Sequence, residues 1–281
     1  MRRSASPLWT TPLLEGQLWT APQSGTACHT GPMARSPEGP PPPPTVQRVR
    51  VKYIKHGRLR FTSHRDFARA LERALRRADV PIAFSAGFSP HPKISYVGAA
   101  PTGVSSAAEY LELGLARVLP VDELRRRLDA ALPDGLDIVE IVPAGPGSLA
   151  ERIEASSWRV ELADTPGITE AVERFLSSAE VLVERLTKDG RRQIDARLPV
   201  VSLQLSSGVH DHNRAILAMV VRQAAPSVRP DDVLAALQSL GAQLPSAPPR
   251  ATRLAQGPLD ANGSVTDPLT TDRDAAARTS S

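Results

Sequence analysis

From residue 46 onward, hydrophobic and polar positions follow first a two-residue and then a helical period. Val49, Val51 and Tyr53 alternate with Arg50, Lys52 and Ile54, the spacing of an edge-like strand. His56-Gly57 reads as a tight turn and Leu59-Arg60-Phe61 as a returning strand. Then the period changes: Phe67, Leu71, Ala74, Leu75 and Ala78 recur at helical spacing. Ser63 stands where an N-cap is wanted, and Asp66 three residues later supplies the acidic partner of the first turn. Asp79 and Pro81 end the helix. After a short apolar run at Ile82, Ala83 and Phe84 come a polar loop, a strand over 94–97, a turn at Pro101-Thr102-Gly103 and a strand over 109–115. A second helix over 122–132 carries Leu124, Leu128 and Leu132 four apart, and a strand over 136–142 follows. Strand, helix, strands, helix, strand predicts an α+β ferredoxin-like sandwich over residues 46–145. That architecture commonly offers an open sheet to RNA, although fold alone does not assign function.

Residues 146–157 read as a linker to a second, smaller α+β domain over 158–241. Its predicted elements are a strand at 158–162, a helix at 169–176, and strands at 181–186 and 192–196 around the hairpin signal Lys188-Asp189-Gly190. Strands at 199–205 and 216–221 follow. A helix at 231–240 has Pro230 at its first turn and Gly241 just past its end. This order weakly echoes the first domain without a detectable sequence repeat. Both termini are expected to be disordered: a Pro-rich extension over 1–45 and a Pro/Ala/Ser/Thr-rich tail over 242–281. Met33 is a plausible true start within the extension.

Composition narrows the class. With 281 residues, 41% of them hydrophobic, there is material for one large or two small domains, and at 4% aromatics the core must be aliphatic. A single cysteine, Cys28, rules out a disulfide within the chain and makes a cytoplasmic home the default. No apolar run approaches the ~18 residues of a membrane span, and Arg2-Arg3 lacks the apolar core of an export signal. The net charge of +4 is unevenly spread. Arg48, Arg50, Lys52, Lys55, Arg58, Arg60, Arg65, Arg69, Arg73, Arg76, Arg77 and Lys93 stand between residues 46 and 104 against only Asp66, Glu72 and Asp79. The next fifty residues hold more acids than bases. Such asymmetry points to one polyanion-binding face.

The candidate chemistry lies in the same stretch. Arg65, Arg69, Arg73 and Arg76 recur at spacings of four, four and three, off the apolar stripe of the first helix. A solvated face and a phosphate-gripping face both fit that row. Ser63, His64 and Arg65 open the helix, where backbone N–H groups favour a phosphate. Gly87 can adopt backbone shapes other residues resist. Phe88 can stack on a base or plug the core beneath the loop. Pro90 and Pro92 hold His91 extended, a setting rare for a core histidine, and Lys93 follows it. As an alternative, His64 and His91 could act as acid and base in metal-free RNA cleavage, with Lys93 or Arg65 stabilising the pentavalent charge. His210-Asp211-His212 offers metal-ligand types, but Gly208 and Asn213 favour a solvated loop, and no metal or cofactor is expected. Phosphate-cradling glycine motifs and hydrolase signatures are absent.

The Ser63-His64 pair, the arginine-rich helix, the run Gly87-Phe88-Ser89-Pro90-His91-Pro92-Lys93 and the later Glu109-Tyr110-Leu111 resemble a bacterial family of unknown function, the radical-SAM-linked proteins (domain of unknown function 2344), in its stand-alone actinobacterial form. The resemblance covers about residues 48–241. It implies a radical SAM protein encoded nearby as partner and, in actinobacteria, a neighbouring ribonuclease of the E/G type. It implies no reaction. One cysteine cannot supply the three-cysteine cluster ligation of a radical SAM enzyme, so this chain is not itself that enzyme. The expected role is an RNA-binding adaptor, for tRNA or rRNA, that serves a separate modifying or processing enzyme. The alternatives are the His64/His91 endoribonuclease and a protein-docking subunit of the radical SAM enzyme.

Overall fold

The computed structural model describes residues 42–163, 165–187, 190–207 and 214–279. The start at Met33, Cys28, the Lys188-Asp189 turn and the His210-Asp211-His212 group lie outside the described residues. Among the described residues, ten strands and five α-helices follow one another. The first half holds β1 (Gln47–Lys55), α1 (His64–Arg77), β2 (Ile94–Val97), β3 (Ser105–Leu115), α2 (Val121–Ala131) and β4 (Leu136–Pro143). The second half holds β5 (Ala155–Ala163), α3 (Ile168–Ser177), β6 (Leu182–Thr187), β7 (Gly190–Asp195), β8 (Val200–Ser207), β9 (Arg214–Arg222), α4 (Pro230–Ser239) and β10 (Arg250–Gly257), and α5 (Thr270–Thr279) closes the described chain.

The strand order is β4-β1-β3-β10-β5-β9-β8, with β2 also on β3. The first half is therefore a β4-β1-β3-β2 antiparallel sheet crossed by α1 and α2, the ferredoxin-like α+β arrangement. The second half repeats the same order with β10-β5-β9-β8, and the β6–β7 hairpin is inserted between α3 and β8. The two halves fuse because β3 is long. Tyr110 to Leu113 pair with β2, while Ser105 and Ser106 at its other end pair in parallel with Thr252 and Arg253 of β10. Each half keeps its own apolar core. Phe67, Leu71, Leu124 and Leu128 pack over β1 and β3 in the first. Phe175, Val233 and Leu237 pack over Trp158 and Leu217 in the second.

Several expectations need correction. β1 is interior, between β4 and β3, and not an edge strand. On its polar face Arg50 is buried, Lys52 is half-buried and Arg48 stays exposed, and acids from distant segments pair with all three. Leu59-Arg60-Phe61 does not return as a strand: Gly57–Phe61 is a 3₁₀ turn, with Leu59 N–H donating to His56 O (3.1 Å) and Thr62 N–H to Leu59 O (2.9 Å). The C-terminal segment is not a disordered tail. β10 pairs with β5 from Arg250 to Gly257, and Leu269 and Asp272 are fully buried against the first half. Its composition hid this, because the anchoring falls on single residues and not on an apolar run.

The segment between β4 and β5 also packs down. Leu149 and Ile153 join Val97, Tyr110, Val142 and Leu269 in a third apolar cluster, on the face of the first sheet away from α1 and α2. The open sheet expected of this fold is therefore covered in the first half. No helix among the described residues is long and apolar enough to cross a membrane.

Candidate nucleic-acid interface

α1 forms as its sequence dictates. The Ser63 hydroxyl accepts the Asp66 N–H (3.2 Å) and donates to the Asp66 carboxylate (2.7 Å), and Phe67, Leu71, Ala74 and Leu75 are buried. At 3.6 residues per turn, Arg65, Arg69, Arg73 and Arg76 fall within an arc of about 80° opposite that stripe. All four are exposed. Arg69 has Asp66 at 4.0 Å; Arg65, Arg73 and Arg76 have no ion-pair partner among the described residues. Arg77 is off the ridge and donates to Ala131 O (3.2 Å).

The cations of β1 behave differently. The guanidinium of Arg50 is fully buried. Its Nη1 donates to both Asp272 oxygens (2.8 and 2.7 Å), its Nη2 to Gly147 O (2.6 Å) and its Nε to Glu112 (3.2 Å). Lys52 pairs with Asp267 (3.3 Å) and Arg48 with Glu112 (2.8 Å). Lys55 is buried and donates to the Ala100 and Pro101 carbonyls (3.2 and 3.3 Å); burial lowers its pKa. A strand-borne basic face is therefore not available. The regional charge surplus divides into structural pairs on β1 and a free ridge on α1.

The loop after α1 is a hairpin-like excursion. A bridge joins Phe84 to Pro92, Ser85 N–H donates to His91 O (2.8 Å), and the Ser85 hydroxyl accepts the His91 N–H (3.0 Å). Gly87 takes φ +127° near the tip, a conformation that favours glycine. Phe88 beside it is 71% exposed, so it plugs no core. His91 is exposed and lines a cavity of about 410 Å³ with Arg48, Ser85, Lys93, Ser95 and Glu112. Lys93 also donates to Thr45 Oγ1 (3.0 Å).

His64 lies elsewhere. Its ring sits edge-on to Tyr96 at 4.8 Å, and Tyr96 in turn meets Phe67 of the α1 stripe at 5.9 Å. Ser95, next to Tyr96 on β2, faces the opposite side of the sheet and lines the His91 cavity. His64 and His91 thus flank β2 from its two faces, and no described cavity contains both. Nor does one contain both His91 and an α1 arginine. The two anion-attracting surfaces adjoin the same strand without forming one cradle. No cluster of three or more metal-ligating side chains occurs among the described residues.

A family model described as an uncharacterized protein conserved in bacteria (DUF2344) matches residues 48–230. The chain belongs to that family. No curated protein matches it. Solved structures similar to this DUF2344 protein include a Cbf5-Nop10-Gar1 complex, with 10% identity and TM-score 0.42 over 79% of this chain. The match covers 55% of that chain, so the DUF2344 protein spans about half its length. A putative glycine cleavage system transcriptional repressor is similar at 12% identity and TM-score 0.20, over 74% of this chain and 98% of that one. At these scores neither likeness bears on function.

One part of the sequence pattern is structural in this DUF2344 protein. Glu109 is buried, pairs with Arg253 of β10 and accepts the Ala100 N–H (3.0 Å), close to Lys55. Arg253 also donates to Ser106 (3.3 Å) and lies over the Trp158 ring at 5.6 Å. Glu109 thereby joins the halves where β3 meets β10. Only the acidic residue inside a predicted strand hinted at this; its partner is 144 positions away.

Proposed function

We propose that this DUF2344 protein is a non-catalytic RNA-binding adaptor that presents tRNA or rRNA to a separate RNA-modifying or RNA-processing enzyme. The observation that carries the reading is the α1 ridge: Arg65, Arg69, Arg73 and Arg76 share one exposed face, and among the described residues Asp66 is the sole acid paired to any of them. Such a row meets a phosphodiester backbone through charge-assisted contacts without reading sequence. Ser63, His64 and Arg65 at the start of α1 add backbone N–H donors at its positive end. On the other side of β2, Gly87 and Phe88 offer an exposed ring for a base, and His91 and Lys93 supply cationic or hydrogen-bonding groups for the adjoining phosphate. The separation of His64 from His91 supports binding over acid–base cleavage.

An adaptor also needs a protein face. β6 carries Leu182 and Leu186 outward on one side of the inserted hairpin, Leu186 being 80% exposed. Glu184, paired with Arg191, stands between them on the same side, so the apolar part of that side is these two leucines. The sequence resemblance makes a radical SAM protein the partner to test, with ribonuclease E/G second.

The test is fluorescence anisotropy with labelled single-stranded and tRNA-like probes, using full-length protein freed of nucleic acid by nuclease and high salt. Log affinity should fall linearly with log salt, at about 0.7 per phosphate contacted on a single strand. Arg69→Glu with Arg73→Glu should abolish most binding. Wild-type protein that shows no salt-dependent RNA binding would end the proposal. Equal binding by wild type and the double reversal would remove α1 from it.

A further inference from the structure

The two halves leave a second cavity at their seam, away from α1 and the His91 loop. It has a volume of about 480 Å³, within the usual range for small-ligand sites. It lies where β3 and β10 start side by side, between the 3₁₀ turn that carries Arg60 and Phe61 and the Pro248-Pro249 loop that leads into β10.

Its lining is unusual for a structural gap. Phe61 is 59% exposed, the Arg60 guanidinium carbon lies 4.4 Å from the Phe61 ring centroid, and both residues line the cavity. An aromatic ring backed by a guanidinium is a stacking platform. Across the cavity stand Arg250, Asp231 and Glu161. The side chains of Arg250 and Asp231 have no ion-pair or hydrogen-bond partner among the described residues, although each is charged and Arg250 sits directly beside Glu161 in the β10–β5 register. Glu161 shares its carboxylate with Arg159 and Arg214 at 3.4 and 3.7 Å. Ser105 and Thr252 complete the wall.

We propose that this cavity binds one nucleotide, with the base stacked on Phe61, its phosphate at Arg250 and its exocyclic amino group donating to Asp231 or Glu161. The hydroxyls of Ser105 and Thr252 are placed as partners for the sugar. Each polar group there matches a group of a nucleotide: an aromatic for the base face, a cation for phosphate and acids for amino donors. An apolar metabolite would leave Asp231 and Arg250 unanswered, and an inorganic anion would leave Phe61 unused. The proposal rests on the adaptor reading only in taking the nucleotide to be part of an RNA. In that setting, the seam reads an unpaired base while α1 holds the backbone.

Saturation-transfer NMR and equilibrium dialysis of the full-length protein with adenosine and cytidine 5′-monophosphates test the site directly. Saturation should reach the base protons. Phe61→Ala and Arg250→Ala should each weaken mononucleotide binding about tenfold or more. Arg69→Glu with Arg73→Glu should leave it unchanged. Phe61 and Arg250 are exposed, and a thermal melt checks that each variant keeps its fold. Absence of mononucleotide binding, or binding equal in wild type and both variants, overturns the seam site even if RNA still binds α1. Mononucleotide binding that needs Phe61 and Arg250 supports the seam site even if long RNA does not bind, in which case only the adaptor reading falls.

Discussion

Arg50 and Asp272 stand 222 positions apart in sequence and meet in a fully buried ion pair, the Arg50 Nη1 lying 2.7 Å from an Asp272 oxygen. Arg152 contributes a second guanidinium at 2.8 Å, and the Gly145 amide donates at 2.9 Å. One carboxylate thus holds three segments on the back of the first sheet: β1, the segment between the halves, and the start of α5. The pair also removes Arg50 from any RNA-facing surface.

Asp272→Ala should destabilise the protein by about 3–5 kcal/mol, because it strands two guanidinium groups in a buried site. Urea unfolding of the full chain, compared with Asp274→Ala on the same helix as a surface control, measures the difference. A loss no larger than that of the control would show that the C-terminal segment is not held by this contact.

Stability should fall at both pH extremes for identifiable reasons. Burial alone would raise the Asp272 carboxyl, but hydrogen bonds from Arg50, Arg152 and the Gly145 amide hold it below its ordinary value of 3.8. Asp267 is lowered in the same way, by the Leu269 amide, Lys52 and Arg273 against its own burial. A carboxyl lowered on folding contributes stability above pH 3.8, and that contribution is lost as pH falls through its folded value. At the other extreme, burial pushes Tyr96 up to about 12 and also raises Tyr53 and Tyr110. Their stabilisation is complete below pH 10 and is lost as pH rises through the folded values. Lys55, lowered by burial, acts oppositely and regains stability as pH climbs toward 10.5. Thermal melts across pH should show an acid loss reduced in Asp272→Asn relative to its own neutral-pH stability, and an alkaline loss reduced in Tyr96→Phe.

Phe88→Ala should weaken single-stranded RNA by about 1–3 kcal/mol and leave duplex RNA nearly unchanged, since an exposed ring stacks only on an unpaired base. Stability should not move, because the ring buries little. Equal losses for single strand and duplex, measured by anisotropy, would show that Phe88 does not stack on a base.

Gly257→Ala should cost about 1–3 kcal/mol through overpacking. A Cβ at the end of β10 would collide with the Thr266 carbonyl and come within 2.9 Å of Pro268 Cδ. These residues lead directly to Asp267, Leu269 and Asp272. Ser63→Ala, which removes the α1 N-cap, should cost about 1 kcal/mol. Both are read in the same unfolding experiment, and a Gly257→Ala variant as stable as wild type would mean the 266–268 segment can shift.

Much of the local structure was legible because its signals are local. The apolar stripe and N-cap of α1, the turn at Gly103, Pro230 at the start of α4 and the strands β2, β4 and β9 each rest on residues within a few positions. What escaped depended on distant partners. β1 read as an edge because its cations look solvated until Asp267 and Asp272 are brought to them. The C-terminal segment read as disordered because its anchors are isolated residues. The arginine ridge was visible in the periodicity; the seam cavity was not, since Phe61 and Arg250 belong to different halves.

By itself, the sequence determined the apolar stripe and N-cap of α1, which α1 face carries charge, and that Phe88 and His91 sit in the loop between α1 and β2. Backbone propensity, capping and side-chain periodicity act over a turn or two, so they need no fold to be read. Only the tertiary structure decided which cations are free and which are buried in pairs, that His64 and His91 flank opposite faces of β2, and that two sheets join through β3 and β10. Those outcomes depend on which distant groups share a small, water-excluded space, and a one-dimensional pattern does not encode that proximity.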